Sequence, residues 1–220
     1  GSYRGALTYS NVGNLHRPYK IMPTYSPFAV LKNYSFRPTV VSDLKKAVQE
    51  STTKDIENTE REIYIEPTYE EVVQFFKECR EENSEDNPLS FDIETASGEI
   101  TCIGFAPSPK RSMVVPFRDI TKKSQAFYDY TTEITIWKEI ANLLQDEKIT
   151  KVAQNQTYDV SWLSYKYGID VAGTVHDTMH AQHSLQPEME KGLGFLGSIY
   201  TNEGAWKNLT SFSKSTKAEE

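Results

Sequence analysis

Cysteine and long apolar runs are scarce in this chain of 220 residues. Only Cys79 and Cys102 occur, which is too few for a disulfide framework and favours a reducing cytosol as the setting. No apolar run approaches the ~20 residues that cross a bilayer, and no signal-peptide pattern opens the chain. Together these absences predict a soluble, globular, cytoplasmic protein that has no membrane partner.

Motifs for several common chemistries are also missing. There is no nucleophile elbow, Walker loop or dinucleotide fingerprint, and the glycines of 192–197 lack phosphate-loop spacing, so they predict helix packing instead. His176, His180 and His183 stand at i, i+4 and i+7, a spacing that places three imidazoles on one helical face. No Glu accompanies them in a His-Glu-x-x-His pattern, so we do not expect a zinc site there.

Negative charge is abundant but unevenly distributed. The net charge is −7, yet residues 1–50 carry seven Lys/Arg against two Asp/Glu, whereas residues 51–90 carry four against twelve. An enzyme that holds metal ions with carboxylates can be acidic overall and still bind phosphate. The net charge therefore does not exclude a nucleic-acid partner.

A change in composition divides the chain. Residues 39–41 predict the end of a strand, and residues 42–50 predict a helix with Ser42 as its N-cap. Residues 51–61 are polar apart from one isoleucine, which is typical of a linker. The expected organisation is a short N-terminal module over 1–50, a linker over 51–61 and a second domain over 62–220.

The second domain alternates strand and helix patterns. After an initial strand and helix, it shows three strands in succession and then a helix, a strand, a helix, a strand and a helix. The predicted strands are Ile63–Ile65, Leu89–Ile93, Ile100–Ala106, Met113–Phe117, Ile149–Ala153 and Val171–Val175. The predicted helices are one capped by Thr68 and Glu71, one through Trp137–Leu144, Thr157–Tyr167 and Asp177–Leu185. A three-strand meander followed by βαβ crossovers predicts an α/β fold with a mixed sheet flanked by helices.

Two carboxylates share one side of a predicted strand. In Phe91-Asp92-Ile93-Glu94-Thr95, residues i and i+2 point the same way, so Asp92 and Glu94 project together from an otherwise apolar strand. Two like charges a few Å apart are unfavourable unless a cation lies between them. For the pair taken alone, a solvent-facing strand is the alternative interpretation.

A third acid follows another predicted strand. Asp159 lies in the first turn of the helix after Gln154-Asn155-Gln156-Thr157-Tyr158, just past the end of a strand, where ligand sites of open α/β sheets gather. An acid at this position could also simply complement the helix dipole. With Asp92 and Glu94 it makes a hard-oxygen site suited to Mg²⁺ or Mn²⁺.

These segments resemble the motifs of a known family, the DEDD-type proofreading 3′–5′ exonucleases of family A DNA polymerases. Ser90–Thr95 is similar to the first motif, Ala153–Asp159 to the second, and Val175–Met179 to a further landmark, so the resemblance spans about residues 62–200. It implies a ribonuclease-H-like fold and two divalent cations. It also implies a single-stranded DNA 3′ end as substrate, a polymerase domain downstream, and the cytosol of a bacterium or phage-infected host.

The resemblance assigns metal ligands as well. Asp92 would bridge both cations, Glu94 would hold the cation that carries the attacking water, and Asp159 would complete the second site. The family's fourth acid lies in a Tyr-x-x-x-Asp motif, and no Asp occurs after Asp177. We therefore expect a domain truncated before its third motif, with an open side at the fourth acid's place and poor packing over 198–220.

Substrate contacts are implied for three further residues. Thr95 and Asn155 would position the terminal nucleotide, with Tyr158 or Phe91 packing nearby. Because the fourth acid is missing, an alternative from another class stays open. In that alternative the chain is a non-catalytic DNA-binding or scaffolding fragment of a replication protein.

A second resemblance concerns residues 1–50. Pro23-Thr24-Tyr25-Ser26-Pro27 and Val40–Ala47 look like the closing part of a family 4 uracil-DNA glycosylase, with Ser26 where that family has a His near the flipped base. This implies the C-terminal remnant of another α/β domain, from which we expect no glycosylase activity. A basic N-terminal extension packed on the exonuclease domain is the alternative.

Overall fold

The computed structural model describes residues 4–10, 19–57, 59–119 and 125–204. The chain divides into two compact units, one made of 1–58 with 182–220 and the other of 59–181. The division into 1–50, 51–61 and 62–220 stays a prediction.

The elements are numbered along the chain. The strands are β1 (Thr8–Tyr9), β2 (Lys20–Ile21), β3 (Glu62–Ile65), β4 (Leu89–Ala96), β5 (Glu99–Ser108), β6 (Arg111–Pro116), β7 (Arg118–Asp119), β8 (Gln125–Ala126), β9 (Lys151–Ala153) and β10 (Val175–Asp177). The helices are α1 (Pro27–Lys32), α2 (Arg37–Glu50), α3 (Tyr69–Glu82), α4 (Tyr130–Leu144), α5 (Gln156–Tyr167), α6 (Thr178–Leu185) and α7 (Leu193–Tyr200), with a 3-10 turn at Tyr34–Phe36.

A six-stranded mixed sheet, in the order β10-β9-β4-β5-β6-β3, forms the unit of residues 59–181. Strand β5 is antiparallel to β4 and β6, whereas β9 is parallel to β4 and to β10, and β3 is parallel to β6. Strands β4, β5 and β6 make the meander, and β9 and β10 each follow a helix. The protein thus has the mixed α/β fold, with a sheet flanked by helices, that the sequence predicts.

The core lies on one face of this sheet. Phe91 and Ile93 are 2% and 5% exposed, and they pack with apolar residues of α3, α4 and α5, such as Phe76, Ile140 and Leu163. Side chains alternate along a strand, so the residues between them point to the opposite face.

Local signals start the first helix of this unit as predicted. The Thr68 hydroxyl accepts a hydrogen bond from the Glu71 amide at 3.3 Å, and the Glu71 carboxylate accepts one from the Thr68 amide at 2.7 Å. This reciprocal capping box satisfies two amides that would otherwise lack partners at the start of α3.

Two predicted elements are wrong in the structure. Residues 39–41 are helical, because α2 already begins at Arg37 with Pro38 in its first turn, so Ser42 lies inside the helix rather than at its N-cap. The strand predicted over 171–175 begins only at Val175. Gly173 has φ +76°, and a Cβ added there would lie 2.6 Å from the Glu147 carbonyl oxygen. The chain therefore turns at this glycine instead of extending.

Residues 198–201 contradict the expectation of poor packing. In the unit made of 1–58 with 182–220, the Lys46 ammonium donates to the carbonyl oxygens of Ser198 at 3.0 Å and Thr201 at 2.6 Å. Arg4 donates to the Ser198 hydroxyl and, at 2.6 Å, to the buried Asp43 carboxylate. The remainder of the prediction, over 205–220, lies outside the described residues.

Of the helices in the described segments, none has both the length and the hydrophobicity to span a bilayer.

Candidate functional site

The site forms where β4 extends past its neighbour. Strand β9 pairs with β4 only at Leu89 and Ser90 and ends at Ala153, so the rest of that β4 edge lacks a strand partner from β9. Asp159, from the first turns of α5, takes this place, since its Oδ1 accepts a hydrogen bond from the Ile93 amide at 2.9 Å. A carboxylate thus replaces the carbonyl that a neighbouring strand would offer.

This bond brings the third predicted acid to the other two. Asp92 and Glu94 flank Ile93 and are both exposed, on the sheet face opposite the core. Because the Ile93 nitrogen is bonded to the carbonyl carbon of Asp92, Asp159 Oδ1 lies at most about 6 Å from the Asp92 Cα. The structure brings the Asp159 carboxylate to the β4 backbone between Asp92 and Glu94, and the roles of the three acids as metal ligands stay a prediction.

The environment of Asp159 is unfavourable for a negative charge. Burial raises the pKa of the Asp159 carboxyl, the bond from the Ile93 amide opposes this, and the nearby charges of Glu94 and Asp177 raise it further. The side chain is almost completely buried, with the residue 3% exposed. A carboxylate in such surroundings gains from a cation.

The donors fit a hard divalent cation, although they are not gathered around one point. Asp92, Glu94 and Asp159 supply carboxylate oxygens, the ligands that Mg²⁺ and Mn²⁺ prefer. Within the described residues, no group of three or more His, Cys, Asp or Glu side chains is arranged to hold a metal ion. The donor chemistry and the backbone placement fit, whereas the side-chain positions do not yet form a coordination group.

Asp177 supports the site from the adjacent strand. Its Oδ1 accepts hydrogen bonds from the amides of Asn155 (3.1 Å), Met179 (2.8 Å) and His180 (3.3 Å), and its Oδ2 accepts one from Gln156 (2.9 Å). Burial opposes ionisation, but these four amide donors outweigh it and lower the pKa of Asp177. Sequence reasoning identified Asp177 as part of a landmark and as the first residue of a helix; an Asp at the start of a helix is the signal that could have indicated a cap.

The predicted substrate residues are distributed along the same edge. The hydroxyls of Thr95 and Tyr158 are hydrogen-bonded at 2.6 Å, and Tyr158 is 46% exposed. Asn155 is exposed and its side chain does not cap α5. The suggestion that Phe91 packs near a nucleotide is wrong, because strand alternation turns this residue into the core.

The open sheet face leaves room beside the acids. Cys102 lies opposite Glu94, and Gly104 lies opposite Asp92, on the neighbouring strand β5. A Cβ added to Gly104 would meet only the Asp92 carbonyl oxygen, at 3.9 Å. Because residue 104 is a glycine, it leaves the space next to Asp92 open.

Fold and site together define a mixed α/β protein with an acidic site at the edge of strand β4. A family model described as 3′–5′ exonuclease matches residues 63–217, and the chain belongs to this family. A comparison with curated protein sequences finds no match.

Several solved structures are similar at low sequence identity. The EXD2 exonuclease domain soaked in Mn and GMP is 17% identical, with a TM-score of 0.41 over 64% of this chain and 70% of that one. The Nibbler EXO domain of Aedes aegypti is 12% identical, with a TM-score of 0.47 over 64% and 69%. RNase D of Escherichia coli, an exoribonuclease, is 12% identical, with a TM-score of 0.46 over 66% and 34%. None of these similarities defines the substrate of this chain.

Proposed function

We propose that this chain is a metal-dependent 3′–5′ exonuclease that hydrolyses single-stranded DNA from its 3′ end in the proofreading role of a DNA polymerase. The observation that supports it is the bond from the Ile93 amide to Asp159, which holds a buried acid between Asp92 and Glu94. The polymerase domain would lie further along the same polypeptide. The cytosol of a bacterium or phage-infected cell would be the setting of that activity.

The residues of the site have distinct tasks in this proposal. Two divalent cations, when bound, would stabilise charge on the attacking and leaving oxygens. Asp92 and Glu94 would hold them from the exposed face of β4, and Asp159, whose Oδ1 is fixed by the Ile93 amide, would complete the second metal site. Thr95, Asn155 and Tyr158 would orient the terminal nucleotide, because their polar groups lie along the same strand edge and helix start.

Degradation of end-labelled single-stranded DNA in the presence of Mg²⁺ or Mn²⁺ tests the activity. We expect shortening from the 3′ end, and a loss of activity of roughly 100-fold or more in Asp92→Ala. Glu85→Ala is the matched control, because Glu85 is an exposed acid in a loop of the same unit. Equal cleavage by the Asp92→Ala variant and the parent chain would refute the assignment.

The preference for DNA is tested with a matched RNA. An RNA strand of the same sequence differs from the DNA only in its 2′-hydroxyls and the thymine methyls, so it isolates sugar recognition. The proposal expects faster degradation of the DNA. A reading frame beyond Glu220 with a Tyr-x-x-x-Asp motif and a polymerase domain would support the polymerase context.

A scaffolding fragment is the second candidate. It is favoured by the lack, among the described residues, of a group of three side chains placed to hold a metal ion. Titration with Mn²⁺ separates the two functions. A scaffold should bind Mn²⁺ equally with and without the double change Asp92→Ala and Glu94→Ala, whereas a nuclease should lose affinity.

The N-terminal module carries a separate proposal, that of a glycosylase-like remnant without activity. Ser26 has a structural task here, because its hydroxyl accepts a hydrogen bond from the Ala29 amide at 3.2 Å and caps α1. An assay for uracil release from uracil-containing DNA should therefore show none.

A further inference from the structure

Asp177 caps two helices at once. It is the last residue of β10, paired in register with Ala153, the last residue of β9. From this position its carboxylate accepts amide hydrogen bonds from the first turn of α6 and from the start of α5. The ends of two parallel strands and the beginnings of two helices thus meet at one side chain.

Helix α5 has no side-chain cap at its own N-cap position. Asn155 occupies that position with φ 58° and ψ 48°, a left-handed conformation, and its side chain makes no capping bond. Asparagine tolerates this conformation better than most residues, although it is still strained and persists only where the surrounding structure holds it. The Asp177 carboxylate supplies the missing acceptor for the Asn155 and Gln156 amides.

Asp159 depends on this turn because it lies three residues after Gln156, within the same helical segment. A shift in the start of α5 would move Asp159 relative to β4 and strain its bond to the Ile93 amide. A small displacement of Asp159 would be enough to weaken the bond, since its N···O distance is 2.9 Å.

We infer that Asp177 is the positioning residue of the site, which fixes the first turn of α5 so that Asp159 sits between Asp92 and Glu94. Asp177 acts through backbone amides and not as a cation ligand, because the four amide hydrogen bonds it accepts already match the roughly four acceptor sites of a carboxylate. Its effect on metal binding rests on the proposed function, whereas its effect on the Asp159–Ile93 bond does not.

The two oxygens of Asp177 allow a selective variant. Asp177→Asn keeps one acceptor oxygen, which can serve the Asn155, Met179 and His180 amides, and replaces the oxygen facing Gln156 by an amide group. Asn is also a good N-cap, so α6 should keep its cap. Asp177→Ala removes both acceptors.

Amide hydrogen exchange of the full chain without metal is the first measurement. We expect faster exchange of the Ile93 and Gln156 amides, by about tenfold or more in Asp177→Ala and by less in Asp177→Asn, because buried amides lose an acceptor or its alignment. Asp129→Ala is the matched control, since Asp129 caps α4 in the same unit through the Thr131 and Thr132 amides. It should leave exchange at Ile93 unchanged.

Mn²⁺ titration of the same proteins is the second measurement, and it should show weaker binding in Asp177→Asn than in Asp129→Ala. Unchanged exchange at Ile93 in Asp177→Asn would overturn the inference. If Mn²⁺ binding were also lost in that variant, Asp177 would be a metal ligand and not a positioning residue. If Asp177→Ala does not fold, the Asp177→Asn result decides. Faster exchange at Ile93 in the Asp177 variants, together with a parent chain that binds no Mn²⁺, would refute the nuclease and leave the positioning role intact.

Discussion

The Asp159 carboxylate and the Ile93 amide form a 2.9 Å hydrogen bond across 66 residues of sequence. The bond gives a buried acid a fixed place beside two exposed ones, at the point where β4 has lost its β9 neighbour. It also means that one side chain serves both folding and the proposed chemistry. The two roles can be separated by substitution.

Asp159→Asn and Asp159→Ala should differ in stability and agree in activity. Asn keeps an oxygen that can accept from the Ile93 amide and removes a charge from an acidic site, so the metal-free variant should be at least as stable as the parent. Ala leaves a buried amide without its acceptor, which costs about 1–3 kcal/mol of unfolding free energy. Urea denaturation measures the stabilities, and both variants should lose nuclease activity.

The raised pKa of Asp159 predicts a pH effect on stability. Between the ordinary Asp pKa and the raised pKa in the folded state, the folded chain binds a proton at Asp159 that the unfolded chain has released. This group's contribution to stability is therefore present at low pH and falls as the pH rises through that window. Urea denaturation of the metal-free parent and of Asp159→Asn across this range isolates the effect, because Asn does not titrate. A difference between them that stays constant with pH would contradict it.

Local patterns were enough to predict most strands of the sheet and the acidic pair. The alternation of apolar and polar residues along β4 has a period of two, so the sequence places Phe91 and Ile93 on one face and Asp92 and Glu94 on the other. The capping box at Thr68 is equally local. These features depend on residues within a few positions of one another.

The contacts of Asp159 and Asp177 could not be predicted in this way, because they join segments that only the folded sheet brings together.

Helix α2 shows a different limit of sequence patterns. Its polar Thr39 and Asp43 are buried while Leu44 and Val48 are 55% and 71% exposed. A rule that assigns apolar residues to the interior would therefore predict the wrong face of α2 to be buried.

Gly104 offers a steric test of the open face beside Asp92. Gly104→Val should fold, because an added Cβ meets only a carbonyl oxygen at 3.9 Å and valine favours strands. Its methyl groups would then occupy the space next to Asp92, and nuclease activity should fall, with Gly104→Ala intermediate. Ala106→Val is the control, since it places the same valine side chain on the same strand, opposite Ser90. Equal activity of the two valine variants would show that this space is not used.

The hydrogen bond between Thr95 and Tyr158 predicts that these residues act as one unit on the substrate. Each of Thr95→Val and Tyr158→Phe removes one hydroxyl of the 2.6 Å pair and should raise KM for single-stranded DNA by about threefold to tenfold. The double variant should be little worse than either single one, because residues joined in one contact do not contribute additively. Tyr165→Phe on the same helix, where Tyr165 is 88% exposed, is the control and should leave KM unchanged. Additive effects in the double variant would mean that the two hydroxyls contact the substrate independently, and unchanged KM in both single variants would remove them from the binding site.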